Sequence, residues 1–263
     1  MINAAEYGMP QRRRRVFILG YLKSSSIYNH INEPVGWMAT EGLFANAFKV
    51  NTPNETVNSF RIDGSLEELT TNFNSKNGGV CPFGNAGFLD DRKVWTFKSI
   101  PNYDGKYAKL KDIVLPLRQV AQEYKIGEAS LDKWEYLKGK KNEKRTRKDG
   151  SIFFYKEGPL SFPDPLDRPA RTIITAEGGT TPSRFKHVIR QGKSLRRLTP
   201  IELERANMFP DNHTQEASDT KRAFFMGNAL VVGVVERIGD ILYEFSNRKV
   251  KKRQKRKLEK NLA

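Results

Sequence analysis

The sequence predicts an α/β protein whose two ends build one folded body and whose long middle is an insertion. Three observations carry that expectation. The apolar stretch Val16-Phe17-Ile18-Leu19 follows directly on four arginines, and such an unbroken run suits a strand with sheet neighbours on both sides. Towards the other end Leu230, Val231, Val234, Val235, Ile238, Ile241, Leu242 and Phe245 recur at helical spacing and make one broad apolar stripe. Between these, from Tyr21 to about Lys156, no steady period survives. Short apolar pieces are separated by turn-rich stretches such as Asn51-Thr52-Pro53-Asn54, Lys76-Asn77-Gly78-Gly79 and Pro101-Asn102-Tyr103-Asp104-Gly105. That pattern predicts small strands joined by long loops, with a helix near residues 131–137.

Taken in order, Gly8-Met9-Pro10 is a turn and residues 11–15 are extended. Gln11, Arg13 and Arg15 then share one face while Arg12 and Arg14 point to the other. Residues 167–180, Asp-Arg-Pro-Ala-Arg-Thr-Ile-Ile-Thr-Ala-Glu-Gly-Gly-Thr, read as a β-branched strand followed by a glycine turn. Thr199-Pro200-Ile201-Glu202 is a helix start: threonine caps, proline is tolerated at the first helical position, and the glutamate three residues on completes a capping box. Gly227-Asn228 precedes the final apolar stripe. That placement predicts close backbone approach and a polar amide at a helix N-terminus.

The formal net charge of +16 predicts attraction to a polyanion through phosphate contacts and counterion release. Half of that charge lies in residues 248–257, eight Lys or Arg without an acid, which composition marks as a disordered basic tail; the rest belongs to the body. Within the middle region, aromatics interleave with cations at Arg92-Lys93-Val94-Trp95-Thr96-Phe97-Lys98, at Tyr103 with Lys106-Tyr107, and in the basic run of residues 138–148 that holds Lys144 and Arg145. Loops that display stacking and phosphate-binding groups are what DNA readout needs. The single cysteine, Cys81, excludes an internal disulfide framework, and His30, His187 and His213 lack metal-ligand spacing, so no metal site is expected. No apolar run approaches membrane-spanning length and no signal peptide is visible, which predicts a soluble cytoplasmic protein.

Gln11-Arg12-Arg13-Arg14-Arg15 closely resembles the Gln-Arg-Arg-x-Arg motif of the DNA (cytosine-5) methyltransferases, the eighth of that family's ordered motifs. Residues 197–202 (Arg-Leu-Thr-Pro-Ile-Glu), with Arg205 and Phe209-Pro210, resemble the ninth, and Gly227-Asn228-Ala229-Leu230-Val231-Val232 resembles the tenth. Three matches in family order, with a long variable segment between the first two, form a specific signal. The resemblance implies a partial doubly wound, Rossmann-like methyltransferase domain formed by the chain's two ends, with an inserted mixed, loop-rich target recognition domain. Its implied boundaries are residues 1–22 for the end of the catalytic domain, 23–190 for recognition, 191–247 for the return to the catalytic domain and 248–263 for the tail. It further implies that Arg15 approaches the target cytosine while Arg13 and Gln11 hold the catalytic pocket together. Asn228, Ala229 and Leu230 would line the S-adenosylmethionine pocket, where Ala229 replaces a common serine. Arg12, Thr172 or Thr175, Arg184, Lys186 with Arg190, Arg92, Lys93, Lys144 and Arg145 would meet DNA.

The family's Phe-x-Gly-x-Gly cofactor loop, Pro-Cys-Gln nucleophile loop and Glu-Asn-Val acid motif are missing from these 263 residues. Cys81 has its proline on the wrong side and lies within the recognition region, so it is not the nucleophile. The expected role is therefore the DNA-recognising and base-flipping half of a restriction-modification methyltransferase. Its cofactor site is incomplete, and it depends on a polypeptide that supplies the earlier motifs. Two other readings remain: a non-catalytic DNA-binding remnant, and an RNA cytosine-5 methyltransferase. Isolation of such a half should leave residues 16–19 and the last helix with bare apolar surface and poor solubility.

Overall fold

The computed structural model describes residues 1–51, 57–76 and 81–261, without side chains for 73–76 and 248–261. The turns expected at residues 52–54 and 77–79 lie outside the described residues. Among the described residues the architecture is mixed α/β with five small antiparallel sheets, divided between two compact units.

The first unit takes in residues 1–7, 14–105 and 234–263. Strand β1 (Ile2–Asn3) pairs antiparallel with β2 (Arg14–Arg15). A short helical stretch follows, α1 (Pro34–Gly36) running into a π-helical turn at Trp37–Glu41, and then α2 (Leu43–Ala47). Strand β3 (Val50–Asn51) pairs with a later strand, while β4 (Asn58–Arg61), helix α3 (Leu66–Lys76), β5 (Ala86–Asp90) and β6 (Lys93–Phe97) form a three-stranded sheet ordered β4-β6-β5 beside that helix in sequence. The β5–β6 hairpin turns on Asp91 and Arg92, both at positive φ (43° and 62°), which is the geometry that matches the twist of a two-residue hairpin. Strand β7 (Ile100–Pro101) pairs back onto β3. The core of this unit is aromatic: Tyr7 meets Phe48 edge-on with ring centres 4.9 Å apart, and Trp37 meets Tyr21 and Phe245 in the same way.

The strand expected at residues 16–19 is not formed. Pairing stops at Arg15, and Val16 and Ile18 are 66% and 92% exposed. A strand that apolar needs neighbours on both edges, and beyond Arg15 no described segment hydrogen-bonds to it as a ladder. The exposed apolar surface predicted with it is present.

The second unit takes in residues 8–13 and 106–233. Helix α4 (Leu131–Lys138) lies where the sequence placed it, and β8 (Lys141–Thr146) and β9 (Ile152–Glu157) form a hairpin. Strands β10 (Val188–Gln191) and β11 (Ser194–Arg197) form a second. Helix α5 (Pro200–Ala206) has the predicted capping box, with Thr199 accepting from the Glu202 N–H and Glu202 accepting from the Thr199 N–H. Helix α6 (Asp219–Asn228) completes the unit. Leu110, Ile113, Ala170, Ile173, Ile189, Leu198, Leu203, Ala206, Ala223 and Met226 pack as its core.

Helix α7 (Val232–Asn261) begins at the end of the second unit and from Val234 onward belongs to the first. Two expectations are corrected here. Asn228 closes α6 instead of opening the last helix, and the interruption is pinned where the Val232 N–H donates to the Asn207 carbonyl, 2.9 Å. The backbone of the basic tail is helical where composition predicted disorder; Lys, Arg, Glu and Leu are all good helix formers, so local propensity favours continuation. The apolar stripe is only partly covered, since Val231 and Val234 are buried while Leu230, Val235 and Leu242 are exposed. Among the described residues no helix is long and apolar enough to cross a membrane.

Candidate nucleic-acid and cofactor site

Alternation along the arginine run sets the geometry of the site. Gln11 and Arg13 are buried, Arg12 and Arg14 exposed, and Arg15 half-buried, as period-two alternation requires. The Gln11 backbone forms a parallel bridge with Ala170: the Arg12 N–H donates to the Ala170 carbonyl and the Ala170 N–H to the Pro10 carbonyl, both 2.8 Å. The arginine motif is thereby laid alongside residues 167–180.

Gln11 and Arg13 knot four segments of the second unit together. The Gln11 amide donates to Asn207 Oδ1 (2.9 Å) and the Ala206 carbonyl (3.3 Å) at the end of α5, and its Oε1 accepts from the Ile173 N–H (3.0 Å). The Arg13 guanidinium donates to the Ile173 carbonyl (2.8 Å) and the Gly227 carbonyl (2.7 Å). Asn207 in turn donates to the Met226 carbonyl (3.0 Å). Gly227 must be glycine, because a Cβ there would stand 2.3 Å from the Thr175 backbone nitrogen. The resembling motifs are thus brought together, and Asn207, to which the sequence reading gave no role, is the amide at their centre. Its only signal was an amide at the end of a helix whose other polar residues, Glu202, Glu204 and Arg205, are charged.

The remaining predicted residues fall into three groups. Arg12 is exposed and lines an 80 Å³ hollow with Asp164, Arg168 and Arg171. Lys144 is exposed on β8, and Thr175 and Arg190 are exposed on the glycine-turn segment and β10. Arg92 donates to the Gly64 carbonyl (3.1 Å) from the β5–β6 turn, and Lys93 lies over the Trp95 ring at 4.8 Å. Arg15 donates to its neighbour's carbonyl, that of Arg14, at 2.8 Å.

A second group is engaged by other parts of the protein, whether buried or, like Arg145, exposed. Lys186 is buried and donates to the Gly179 (2.9 Å) and Thr181 (2.8 Å) carbonyls, so it clamps the glycine turn. Arg197 donates to the same Gly179 carbonyl at 2.8 Å, and Glu177 accepts from the His187 backbone and ring nitrogens at 2.9 and 2.6 Å. Arg184 pairs with Glu157 at 3.2 Å and donates to the carbonyls of Leu137, Gly139 and Gly158. The Thr172 hydroxyl donates to the Arg12 carbonyl. Arg145 stacks on Tyr155 at 3.7 Å and pairs with Glu143.

The third group is the triad the sequence reading expects at the cofactor. Asn228 and Leu230 are exposed and Ala229 half-buried at the end of α6, with the Asn228 amide donating to the Phe224 carbonyl (3.3 Å). Phe224 and Phe225 are exposed beside them. An amide and apolar groups on an open edge fit one wall of a cofactor pocket.

Comparison with known proteins gives the family. The C-5 cytosine-specific DNA methylase family matches residues 1–244 of the chain. The chain belongs to that family. It is 37% identical over 244 residues to the type II methyltransferase M.Sau3AI of Staphylococcus aureus, a match covering 91% of this chain and 57% of that protein. The chain thus spans little more than half the length of this curated relative. Among solved structures, the Entamoeba histolytica methyltransferase EhMeth overlays with a TM-score of 0.37 at 13% identity, over 58% of this chain and 47% of that one.

Lys138 gives the unit a pH signature. It is buried, its ammonium donates to the Lys186 carbonyl, and burial pushes it down to about 8. Below that pH the lysine is protonated folded and unfolded alike, and the fold carries the full cost of burying charge. Between pH 8 and 10 the unfolded chain holds a proton that the folded chain has shed, so stability rises with pH. Above pH 10 Tyr21, pushed up to about 12 by burial, works the other way. In urea melts from pH 8 to 10 the native chain should gain stability relative to Lys138→Met; a constant difference would contradict the assignment.

Proposed function

We propose that this chain is the target-recognition and base-flipping part of a DNA (cytosine-5) methyltransferase that acts on a specific duplex sequence in a restriction-modification system. The observation that supports the reading is the buried knot of Gln11, Arg13, Asn207 and the Gly227 carbonyl, which joins the three segments resembling family motifs within one unit. The type II methyltransferase relative supports the restriction-modification setting. In this reading residues 23–190 are the recognition domain, and the two ends join a doubly wound catalytic domain.

The residues divide the work as follows. Arg13 and Gln11 fix the backbone from which Arg15 reaches the flipped cytosine, where a planar, permanently charged donor stabilises charge developing on the base during attack. Thr175 is the exposed threonine beside the glycine turn and contacts the phosphate backbone; Lys186 and Arg197 hold that turn in shape. Asn228, Ala229 and Leu230 form one wall for S-adenosylmethionine, which supplies an electrophilic methyl group when bound. The thiolate that attacks C6 and the acid that protonates N3, which covalent activation of the extruded base needs, would come from a segment carrying the cofactor-loop, Pro-Cys-Gln and Glu-Asn-Val motifs.

The test is duplex binding by the full chain with structured RNA as competitor. Displacement by duplex DNA and not by RNA is expected; preferential displacement by RNA would overturn the reading in favour of an RNA enzyme. The same titrations separate direct contacts from clamps. Arg190→Met, at an exposed position of β10, should reduce the slope of log affinity against log salt by about 1, the signature of a lost phosphate contact, whereas Lys186→Met should leave the slope unchanged. Equal slopes for the two variants would contradict that division.

A further inference from the structure

We infer that the β8–β9 hairpin is the element that enters the DNA major groove and reads sequence there, through its outer face of Asn142, Lys144, Phe154 and Lys156. This rests on the DNA reading above and goes beyond it by naming the specificity-determining residues.

The hairpin sorts its charges by face. Register places Lys141 opposite Glu157, Glu143 opposite Tyr155 and Arg145 opposite Phe153 on one side; Asn142 opposite Lys156, Lys144 opposite Phe154 and Thr146 opposite Ile152 form the other. Every acid of the two strands is on the first side, and each is paired: Glu157 with Lys141 (3.2 Å) and Arg184 (3.2 Å), Glu143 with Arg145 (2.9 Å) and the Tyr136 hydroxyl (2.6 Å) of α4. Stacking of Arg145 on Tyr155 and Arg147 on Phe153 completes that side. It is the anchored face, fixed to α4 and to Arg184.

The other face has two lysines, an amide, a threonine and no acid, and it exposes two large apolar groups, Ile152 at 55% and Phe154 at 59%. An exposed phenylalanine flanked by lysines has no reason to face water, and the charge sign selects a polyanion. A two-stranded ribbon is one of the shapes the B-DNA major groove admits, and amide, ammonium and apolar side chains are the groups that read adenine, guanine and the thymine methyl there. Arg147 and Lys148 at the tip are placed to meet the flanking phosphates.

The experiment is selection of bound sequences from a randomised duplex library by the full chain. The native chain should yield a consensus. The Asn142→Ala/Phe154→Ala variant, altered only at exposed positions, should keep non-specific binding and lose preference for that consensus by roughly 10-fold or more. A Lys144→Arg variant, which keeps the charge, should fold equally well and shift the preferred bases without weakening non-specific binding. An unchanged consensus in both variants would overturn the hairpin assignment and leave the DNA reading intact. Failure of the native chain to bind duplex DNA at all would overturn both.

Discussion

Arg13→Ala should lower the stability of the second unit by about 3–5 kcal/mol, with a matching loss of duplex binding. The guanidinium is buried and its two shortest bonds go to the carbonyls of Ile173 (2.8 Å) and Gly227 (2.7 Å). Hydrogen bonds from a charged donor contribute about 1.5–3 kcal/mol each, and a buried carbonyl left without a partner costs about 1–3 kcal/mol. Arg13→Lys should recover only part, because a single ammonium replaces a planar fork that reaches two segments. Arg12→Ala, one residue away but exposed, should change stability by less than about 0.5 kcal/mol. Urea melts of the three variants make the comparison; equal losses at Arg12 and Arg13 would contradict the burial alternation on which the site is built.

Glu202→Ala should be at least as damaging. Its carboxylate is fully buried and accepts from both guanidinium nitrogens of Arg196 (2.6 and 2.9 Å), from the Leu115 N–H (2.7 Å) and from the Thr199 N–H (2.7 Å). Removing it strands a buried arginine, opens the α5 cap and frees the loop before residue 116, for an expected loss of about 3–5 kcal/mol. Replacing both partners, Arg196→Met with Glu202→Leu, should cost clearly less than the single change, since no unpaired charge remains. A double variant less stable than Glu202→Ala would show that the backbone bonds of Glu202, and not the stranded arginine, dominate.

The parts of the fold legible in the sequence are those fixed locally. Period-two alternation put Gln11 and Arg13 on one face and Arg12 and Arg14 on the other, of which the fold buries the first, and the Thr199–Glu202 spacing marked the start of α5, because both depend on geometry within a few residues. Helix α4 was legible for the same reason. The Val16–Leu19 stretch shows the limit: its composition is that of a strand, but a strand exists only with a partner, and beyond Arg15 no ladder forms. Lys186 and Arg184 show another. A basic residue in a basic protein reads as a phosphate contact, and only the fold reveals that backbone carbonyls have already claimed it, those of the nearby glycine turn for Lys186 and that of Leu137 for Arg184. The end of α6 at Asn228 was missed because the break depends on Asn207, some twenty residues earlier, and helical periodicity alone does not register it.

The central claim is that this chain carries the recognition and positioning residues of a cytosine-5 methyltransferase and takes its nucleophile from elsewhere. It is tested most directly by transfer of labelled methyl from S-adenosylmethionine to duplex DNA, with the chain alone and with a polypeptide supplying the cofactor loop, the Pro-Cys-Gln loop and the Glu-Asn-Val motif. Label should enter DNA only when both are present, and Arg15→Ala in this chain should abolish it. Methyl transfer by the chain alone, or by the other polypeptide without it, would contradict the account.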